Sequence, residues 1–360
     1  MYLITARNVH VALPKGLAYI RKKGIPMDSR NGQVLVAPSP VVTHYHRPLE
    51  RVMFWEARDA NPFFHFFESL WMLAGRNDIA YLTQFVKRFI EFSDDGVTQH
   101  GAYGHRWLHH FDMEGGGHNN LPDQLSIIID RLKKFPQDRR CVLTMWDPVA
   151  DLGAESKDLP CNVNAFFGLN HHGHLNMEVN CRSNDMIWGA YGANAVHFSV
   201  LQEYIASSIG VKVGPYWQNS FNFHAYLNTL VPLEEKFVFA KTEASFKEHN
   251  PYNFGAETYP LFASGIGGNA KLIWDADLKR FMDMGYNHSL GFNNRFFSRV
   301  ACPLMAAHDA YKAKEWKTAY RLVEQCWAKD WQLACKEWLR RRERTYQRAA
   351  DDGPNYEGGE

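Results

Sequence analysis

Residues 62–75, "PFFHFFESLWMLAG", place apolar side chains at helical spacing and close on Gly75, a residue suited to a helix C-cap. "LPDQLSIIIDRLKKFPQD" predicts a second helix that starts near Pro122 and is stopped by Pro136. "RRCVLTMWDP" reads as a strand, and "NAFFGLNHHGHLNMEVNCRS" as two strands around a Gly-containing turn. "ANAVHFSVLQEYIASSIG" predicts a further helix with Gly210 just past its end. From about residue 305 the pattern is helical throughout. Trp316, Tyr320, Val323 and Trp327 fall on one stripe, and Trp331, Cys335 and Trp338 on another, which predicts a pair of packed helices. The basic run Arg340, Arg341, Arg342 and Arg344 reads as a solvated helix face, with phosphate or partner docking as the alternative. The expected organisation is a body over residues 1–300, a helical extension over 301–350 and a disordered tail over 351–360. A short low-complexity patch, "EGGGHNN", lies at 114–120.

Composition narrows the function classes. The 360 residues are 46% hydrophobic and 14% aromatic, enough for a sizeable core and incompatible with global disorder. The 40 Lys+Arg balance 39 Asp+Glu, which argues against a bulk nucleic-acid binder but not against a local anion pocket. Cys141, Cys161, Cys181, Cys302, Cys326 and Cys335 form no CxxC pair and no zinc-type cluster, so no metal site is expected. The N-terminus lacks the pattern of a signal peptide, and no apolar run approaches the roughly 20 residues of a membrane span. A reducing, cytoplasmic setting without membrane contact is expected.

Several side chains could carry chemistry. Cys161, in "KDLPCNVNAFFGL", is either a nucleophile or a small buried residue at the start of a strand; on its local sequence alone the packing role is favoured. Arg139 and Arg140 stand at a strand entry, and since neighbouring strand residues point to opposite faces, at most one can turn inward. Arg182 and Ser183 follow another strand, and Arg30 sits in the turn-like "DSRNGQ". Each arginine alone suits a surface ion pair; together they suit a phosphate monoester. Glu68 interrupts the apolar helix, either pointing outward or half-buried for proton transfer. Asp185 and Asn194 flank the Gly-rich "NDMIWGAYGANAVHF", where they can read a heterocycle's edge or cap the next helix. His224 and Tyr226, two apart, share a face if extended, where they can hold a sugar or close a core hydrogen bond.

In this order, the segments resemble the thymidylate synthase superfamily from about Arg30 to Asn228. "DSRNGQ" resembles that family's N-terminal phosphate loop, "FFESLWMLAGRNDIAYL" its Glu-containing helix, and "HGAYGHRW" its "GPVYGKQW". "DQLSIIIDRLKKFPQDRR", "LPCNVNAFFGL", "CRSNDMIWG" and "VGPYWQNSFNFHAYLN" resemble the paired-arginine, nucleophile, "RS-D" and "H-Y" segments. The implied fold is α+β: a mixed β-sheet layered with helices, here with a helical C-terminal extension. Cys161 would then add to C6 of a pyrimidine nucleotide, making C5 able to attack a one-carbon electrophile. Arg30, Arg182 and Ser183 would bind the 5′-phosphate, and Arg139 and Arg140 would reach in from the second subunit of a homodimer. Asn194 would read O4 and N3 of the base; His224 and Tyr226 would hold the 3′-hydroxyl. Glu68 would organise water and proton transfer, and Tyr103 would support proton removal from C5. Asp185 would contact the pterin of a folate, with Phe89 and Gly189 beside it, the implied carrier being 5,10-methylenetetrahydrofolate. The clustered arginines are expected to favour the Cys161 thiolate.

The sequence also departs from the family pattern. Asn162 stands where histidine usually follows the nucleophile, and Cys181 where glutamine precedes the "RS". The loop before Asn194 is one residue longer, and Phe89 and Phe92 replace tryptophans. The C-terminal lid ending in valine is not recognisable, and a Trp-rich helical stretch stands in its place. After one-carbon transfer the nucleotide carries an exocyclic methylene at C5, which hydride converts to methyl and water to hydroxymethyl. Losing the lid and the shielding tryptophan tilts that choice toward water. "NCRSND" is also similar to phage deoxycytidylate hydroxymethylases, but those carry aspartate at the Asn194 position, whereas an amide suits uracil. The expected activity is dUMP hydroxymethylation, with thymidylate synthesis next, and a dCMP hydroxymethylase or an inactive nucleotide- or RNA-binding regulator behind.

Overall fold

The computed structural model of the chain describes residues 1–111, 123–237, 249–263, 265, 267, 269–287 and 291–351. The low-complexity patch at 114–120, the expected helix start at Pro122 and the tail beyond residue 351 lie outside them. The chain runs β1 (Tyr2–Ala6), α1 (Val9–Lys23), β2 (Ile25–Ser29), β3 (Gly32–Val36), β4 (Val41–Tyr45) and α2 (Pro62–Leu73). It continues through α3 (Ile79–Leu82), α4 (Tyr103–Leu108), α5 (Gln124–Lys134), β5 (Val142–Thr144) and α6 (Pro148–Asp151). β6 (Asn162–Leu169), β7 (Leu175–Asp185), α7 (Asn194–Ile209), β8 (Val213–Tyr226) and α8 (Leu227–Lys236) follow.

Local chemistry sets the boundaries. Asn61 caps α2 by accepting from the Phe64 N–H at 3.1 Å, Pro62 occupies the first turn where its missing N–H is not needed, and Gly75 takes φ +69° just past the end. Asp123 caps α5 through the Ser126 N–H at 2.7 Å. α4 can lie against the end of α2 because Gly104 has no side chain: a Cβ there would stand 1.9 Å from the Met72 carbonyl oxygen. The expected Gly-rich loop after Asp185 is instead a distorted helical segment, Met186–Ala193, broken at Tyr191 and Gly192. Asp185 starts it by accepting from the backbone N–H groups of Ile187 and Trp188, at 2.7 and 2.9 Å.

The sheet is mixed, as expected for an α+β chain. Its main path is β1-β4-β8-β7-β6-β5, with the β2–β3 hairpin joined to the far end of β8. β1 with β4 and β7 with β8 are parallel, and the remaining pairs are antiparallel. β7 alternates apolar side chains inward at Leu175, Met177, Val179 and Cys181 with polar ones outward. On the outward face an asparagine ladder crosses the sheet: Asn219 donates to Asn180 at 3.0 Å, and Asn180 to Asn164 at 2.9 Å. Since β6 runs antiparallel to β7 and β8 parallel to it, the start of β6 meets the ends of β7 and β8. Residues 161–162, 181–185 and 224–226 are thereby gathered at one end of the sheet.

Past residue 300 there are three helices rather than a pair: Cys302–Lys312, Trp316–Glu324 and Lys329–Asp351. Trp327 falls between the last two, half-exposed under the Arg299 guanidinium at 4.7 Å, and so leaves the expected stripe. Trp316 packs within the extension, on Tyr311 and Tyr346, whereas Trp331 and Trp338 dock on the body. Trp331 packs edge-on to Phe66 and Trp338 edge-on to Phe63, with ring centroids 5.2 and 5.5 Å apart, so one apolar core joins α2 to the last helix. The basic run is partly a docking face: Arg341 and Arg342 both pair with Asp59. Among the described residues, no helix is long and apolar enough to cross a membrane.

Candidate active site

Cys161 sits immediately before β6, half-buried. Its carbonyl accepts from the Arg182 N–H at 2.8 Å. Arg182 also ties down the turn before it, its guanidinium donating to the carbonyls of Pro160 at 2.9 Å and Leu159 at 3.2 Å. The Tyr103 hydroxyl oxygen accepts from the N–H groups of both Cys161 and Asn162, at 3.0 and 3.1 Å. With both lone pairs occupied, that hydroxyl has only its proton left to offer. Burial and the neighbouring Cys161 push the Tyr103 pKa well above its usual range, so the proton stays on at neutral pH.

The expected thiolate is corrected by the same burial. Arg182 and Arg30 both lower the Cys161 pKa, but burial is the larger effect and the thiol lies above its ordinary range. Arg30 acts from an exposed position in the β2–β3 turn, close enough for its charge to reach the thiol. The free protein therefore holds Cys161 mainly as the thiol.

A chain of amides runs behind the nucleophile. Asn162 donates to the Asn194 carbonyl oxygen at 3.1 Å, Asn194 to that of Asn184 at 3.1 Å, and Asn184 to the Ser220 hydroxyl at 2.9 Å. Each Asn194 group has spent only half its capacity, leaving one N–H donor and one oxygen lone pair. The Asn162 carbonyl oxygen is buried with no polar partner. Gly189 keeps this corner open: a Cβ would stand 2.6 Å from the Asn184 oxygen and 3.2 Å from the Asn194 nitrogen.

Asp185 faces His224 across the β7–β8 ladder. Burial raises the Asp185 pKa and lowers that of His224, against the mutual attraction of the two groups. His224 shares a 2.9 Å hydrogen bond between its Nδ1 and the Asn222 oxygen, and its ring meets Tyr226 edge-on at 5.3 Å. Ser183 lies half-buried on the same stretch of β7. Glu68 does not point outward: its side chain is 12% exposed, and Oε2 lies 3.0 Å from His197 Nε2 on α7. Phe89 rests on Phe64, one turn before Glu68, at 5.5 Å, while Phe92 is half-exposed.

Cys161, Tyr103, Arg182, Ser183, Asp185, Asn194, His224 and Tyr226 thus share one end of the sheet. Arg139 and Arg140 do not join them within this chain. Arg140 is exposed and pairs with Asp138 at 3.1 Å. Arg139 borders a cavity of about 360 Å³ on the outward sheet face, with Phe166, Glu178 and Trp217. Sequence reasoning missed Asn184, His197 and Arg58. His197 was signalled by its spacing, one helical turn after Asn194. Arg58 had no local signal: it is buried, donates through Nε to the Ile187 carbonyl at 2.9 Å, and lies 4.2 Å over the Trp188 ring. Both its terminal nitrogens are buried without a polar partner, and burial lowers its pKa to about 10. Among the described residues, no cluster of three or more His, Cys, Asp or Glu side chains is placed to hold a metal ion.

Comparison with known proteins places this geometry. The family model described as thymidylate synthase matches residues 51–247. A deoxyuridylate hydroxymethyltransferase of Pseudomonas phage M6 is 47% identical, covering 99% of this chain and 100% of its own length. A deoxyuridylate hydroxymethyltransferase of Bacillus phage SP01 is 37% identical, covering 59% of this chain and 55% of its own. The thymidylate synthase of Bacillus subtilis subsp. natto is 29% identical over 53% of this chain and 68% of its own length.

Proposed function

The chain belongs to the thymidylate synthase family, and we propose that it is a transferase that adds a hydroxymethyl group to C5 of dUMP, with 5,10-methylenetetrahydrofolate as co-substrate. The observation that carries the reading is Asn194, held by Asn162 and Asn184 with one donor and one acceptor to spare. Uracil presents O4 as an acceptor and N3–H as a donor; cytosine presents a donor and an acceptor in the opposite order. The nearly full-length similarity to the phage M6 enzyme supports the hydroxymethyl product.

Cys161 attacks C6, and Tyr103 supports proton removal from C5 by holding the Cys161 and Asn162 N–H groups and donating a hydrogen bond into the site, not by taking the proton itself. Burial raises the Cys161 pKa and Arg182 and Arg30 lower it, so the arginines gathered at the phosphate site are what favours the thiolate. Arg30, Arg182 and Ser183 take the phosphate, with Arg139 and Arg140 of a second subunit. His224 and Tyr226 take the sugar hydroxyl. The uncovered sheet face, with Arg139, Phe166 and Trp217 along one cavity, suits such a homodimer. For the co-substrate the residues fit: the Asp185 carboxyl meets a pterin, and Trp188 offers an exposed ring backed by the buried Arg58 guanidinium. Phe89 and Gly189 border this space.

Release of tritium from C5-labelled dUMP with methylenetetrahydrofolate, followed by mass spectrometry of the nucleotide, tests the reading. A hydroxymethylated product is expected. A methylated product with stoichiometric dihydrofolate would make the chain a thymidylate synthase, and no release with dUMP or dCMP would remove the enzymatic reading altogether.

A further inference from the structure

Glu68 and His197 face each other from α2 and α7. Glu68 Oε2 and His197 Nε2 stand 3.0 Å apart, and neither atom has another polar partner. The His197 side chain is 3% exposed and that of Glu68 12%, so the pair opens toward the site only at the carboxylate. Two ionisable groups taken out of water and held only by each other make a pair whose geometry is set by α2 and α7. His65, one turn before Glu68, meets the His197 ring edge-on at 6.4 Å; burial and the Arg58 and His197 charges hold its pKa well down, so it stays neutral. His197 lies one turn, about 4.5 Å, beyond Asn194 along the α7 axis. Glu68 is also close enough to Asp158, three residues before Cys161, for its charge to raise the Asp158 pKa, so the pair borders the segment that carries the nucleophile.

Resting on the dUMP reading above, we propose that His197 is the positioning residue that makes Glu68 the base for water addition, the step that decides the product. The water oxygen bonds to the exocyclic methylene carbon, and the C5=CH2 electron pair moves onto C5, C4 and O4 as an enolate. One water proton passes to the free Glu68 oxygen while His197 Nε2 fixes the other. The enolate then re-forms the C5=C6 bond and expels the Cys161 thiolate. The sum is one water added and nothing oxidised or reduced, so the folate leaves as tetrahydrofolate.

Single-turnover assays of full-length His197→Gln and His197→Ser test this, following tritium release from C5 and 5-hydroxymethyl-dUMP in the same samples. Tritium release is expected within about twofold of wild type, while hydroxymethyl formation slows at least about tenfold, within the range of base catalysis. A small added thiol should then capture the waiting methylene as a 5-thioether, more in the variants than in wild type. Parallel slowing of both signals, or an unchanged product partition, overturns the role. So does loss of the folded far-UV spectrum in both variants, which would make His197 structural. A wild-type enzyme that forms no hydroxymethyl product overturns the underlying reading instead.

Discussion

The two sides of α2 face different tasks. One side presents Phe63 and Phe66 to Trp338 and Trp331 of the last helix, ring against ring. The other presents His65 and Glu68 toward α7, where Glu68 and His197 meet with no further partners. On the docking side Asp330 accepts from Tyr252, whose hydroxyl accepts from the Val52 N–H, and Arg51 pairs with Glu203, while Arg51 Nε, Trp338 Nε1 and His308 Nδ1 are buried without a polar partner. On the site side, capacity is left over at Asn162, Asn194, Glu68, His197 and Arg58. The difference lies in chemistry rather than in satisfaction: the docking side is held mainly by stacked rings, and the site side gathers amide, carboxyl, imidazole and guanidinium groups in one corner.

Changes on the two sides should therefore fail differently. The largest effect belongs to Cys161→Ala, which should abolish tritium release, on the order of 10⁴-fold or more, while leaving the melting temperature within a few degrees. A melting loss as large as the activity loss would break the comparison at once. Trp338→Ala should cost about 3–5 kcal/mol of stability by cavity formation against Phe63 and Tyr311, read by denaturant unfolding. Its surviving folded fraction should retain product identity.

Asp330 offers a pH test of the docking side. Burial raises its pKa from 3.8 to about 7, against Tyr252 and Arg51. A carboxyl with a raised folded pKa keeps its proton when the unfolded chain has already lost it. Its stabilising effect is therefore full below pH 4 and drains away as pH rises toward about 7. Asp330→Asn should flatten that part of the profile and recover a few kcal/mol at pH 8. An unchanged slope between pH 5 and 7 would show that Asp330 is ionised throughout and its burial compensated.

On the site side, Asn194→Asp should shift preference from dUMP toward dCMP by about 1–3 kcal/mol, measured as a ratio of kcat/KM values. The mechanism is local: a carboxylate would set two acceptors, its own oxygen and that of Asn184, against each other unless Asn184 turns. Unchanged selectivity would mean that a residue other than Asn194 reads the base.

Legibility followed sequence distance. α2, α5, α7 and the β6–β7 hairpin were visible because their periodicity and caps are local, and Cys161 because it sits among ordered segments that resemble a family. For Asp185 the local sequence allows a helix cap or ligand reading, and the carboxyl both caps and faces His224. His197 and Arg58 were lost because their meaning depends on contacts with Glu68 and Trp188, far along the chain. The thiolate expectation failed for a related reason: sequence shows the arginines but not the burial that outweighs them. The third C-terminal helix was hidden because Trp327 fits a helical stripe on paper yet stands in a break.

The smallest expected effect is the most discriminating for the last helix. Asp59 takes φ +48°, a left-handed conformation that Asn tolerates nearly as well, and holds Arg341 and Arg342 at a partly exposed surface. Asp59→Asn should therefore cost less than about 1 kcal/mol, since exposed ion pairs contribute little. Asp59 also neighbours Arg58, which lies buried against the Trp188 ring beside Asp185. If the last helix only braces α2, kcat, KM for the folate and the product ratio should all stay within about twofold of wild type. A rise in folate KM with stability unchanged would show instead that the docked arginines reach through Asp59 and Arg58 to the site. The two sides of α2 would then be one functional unit, with the extension taking part in co-substrate binding.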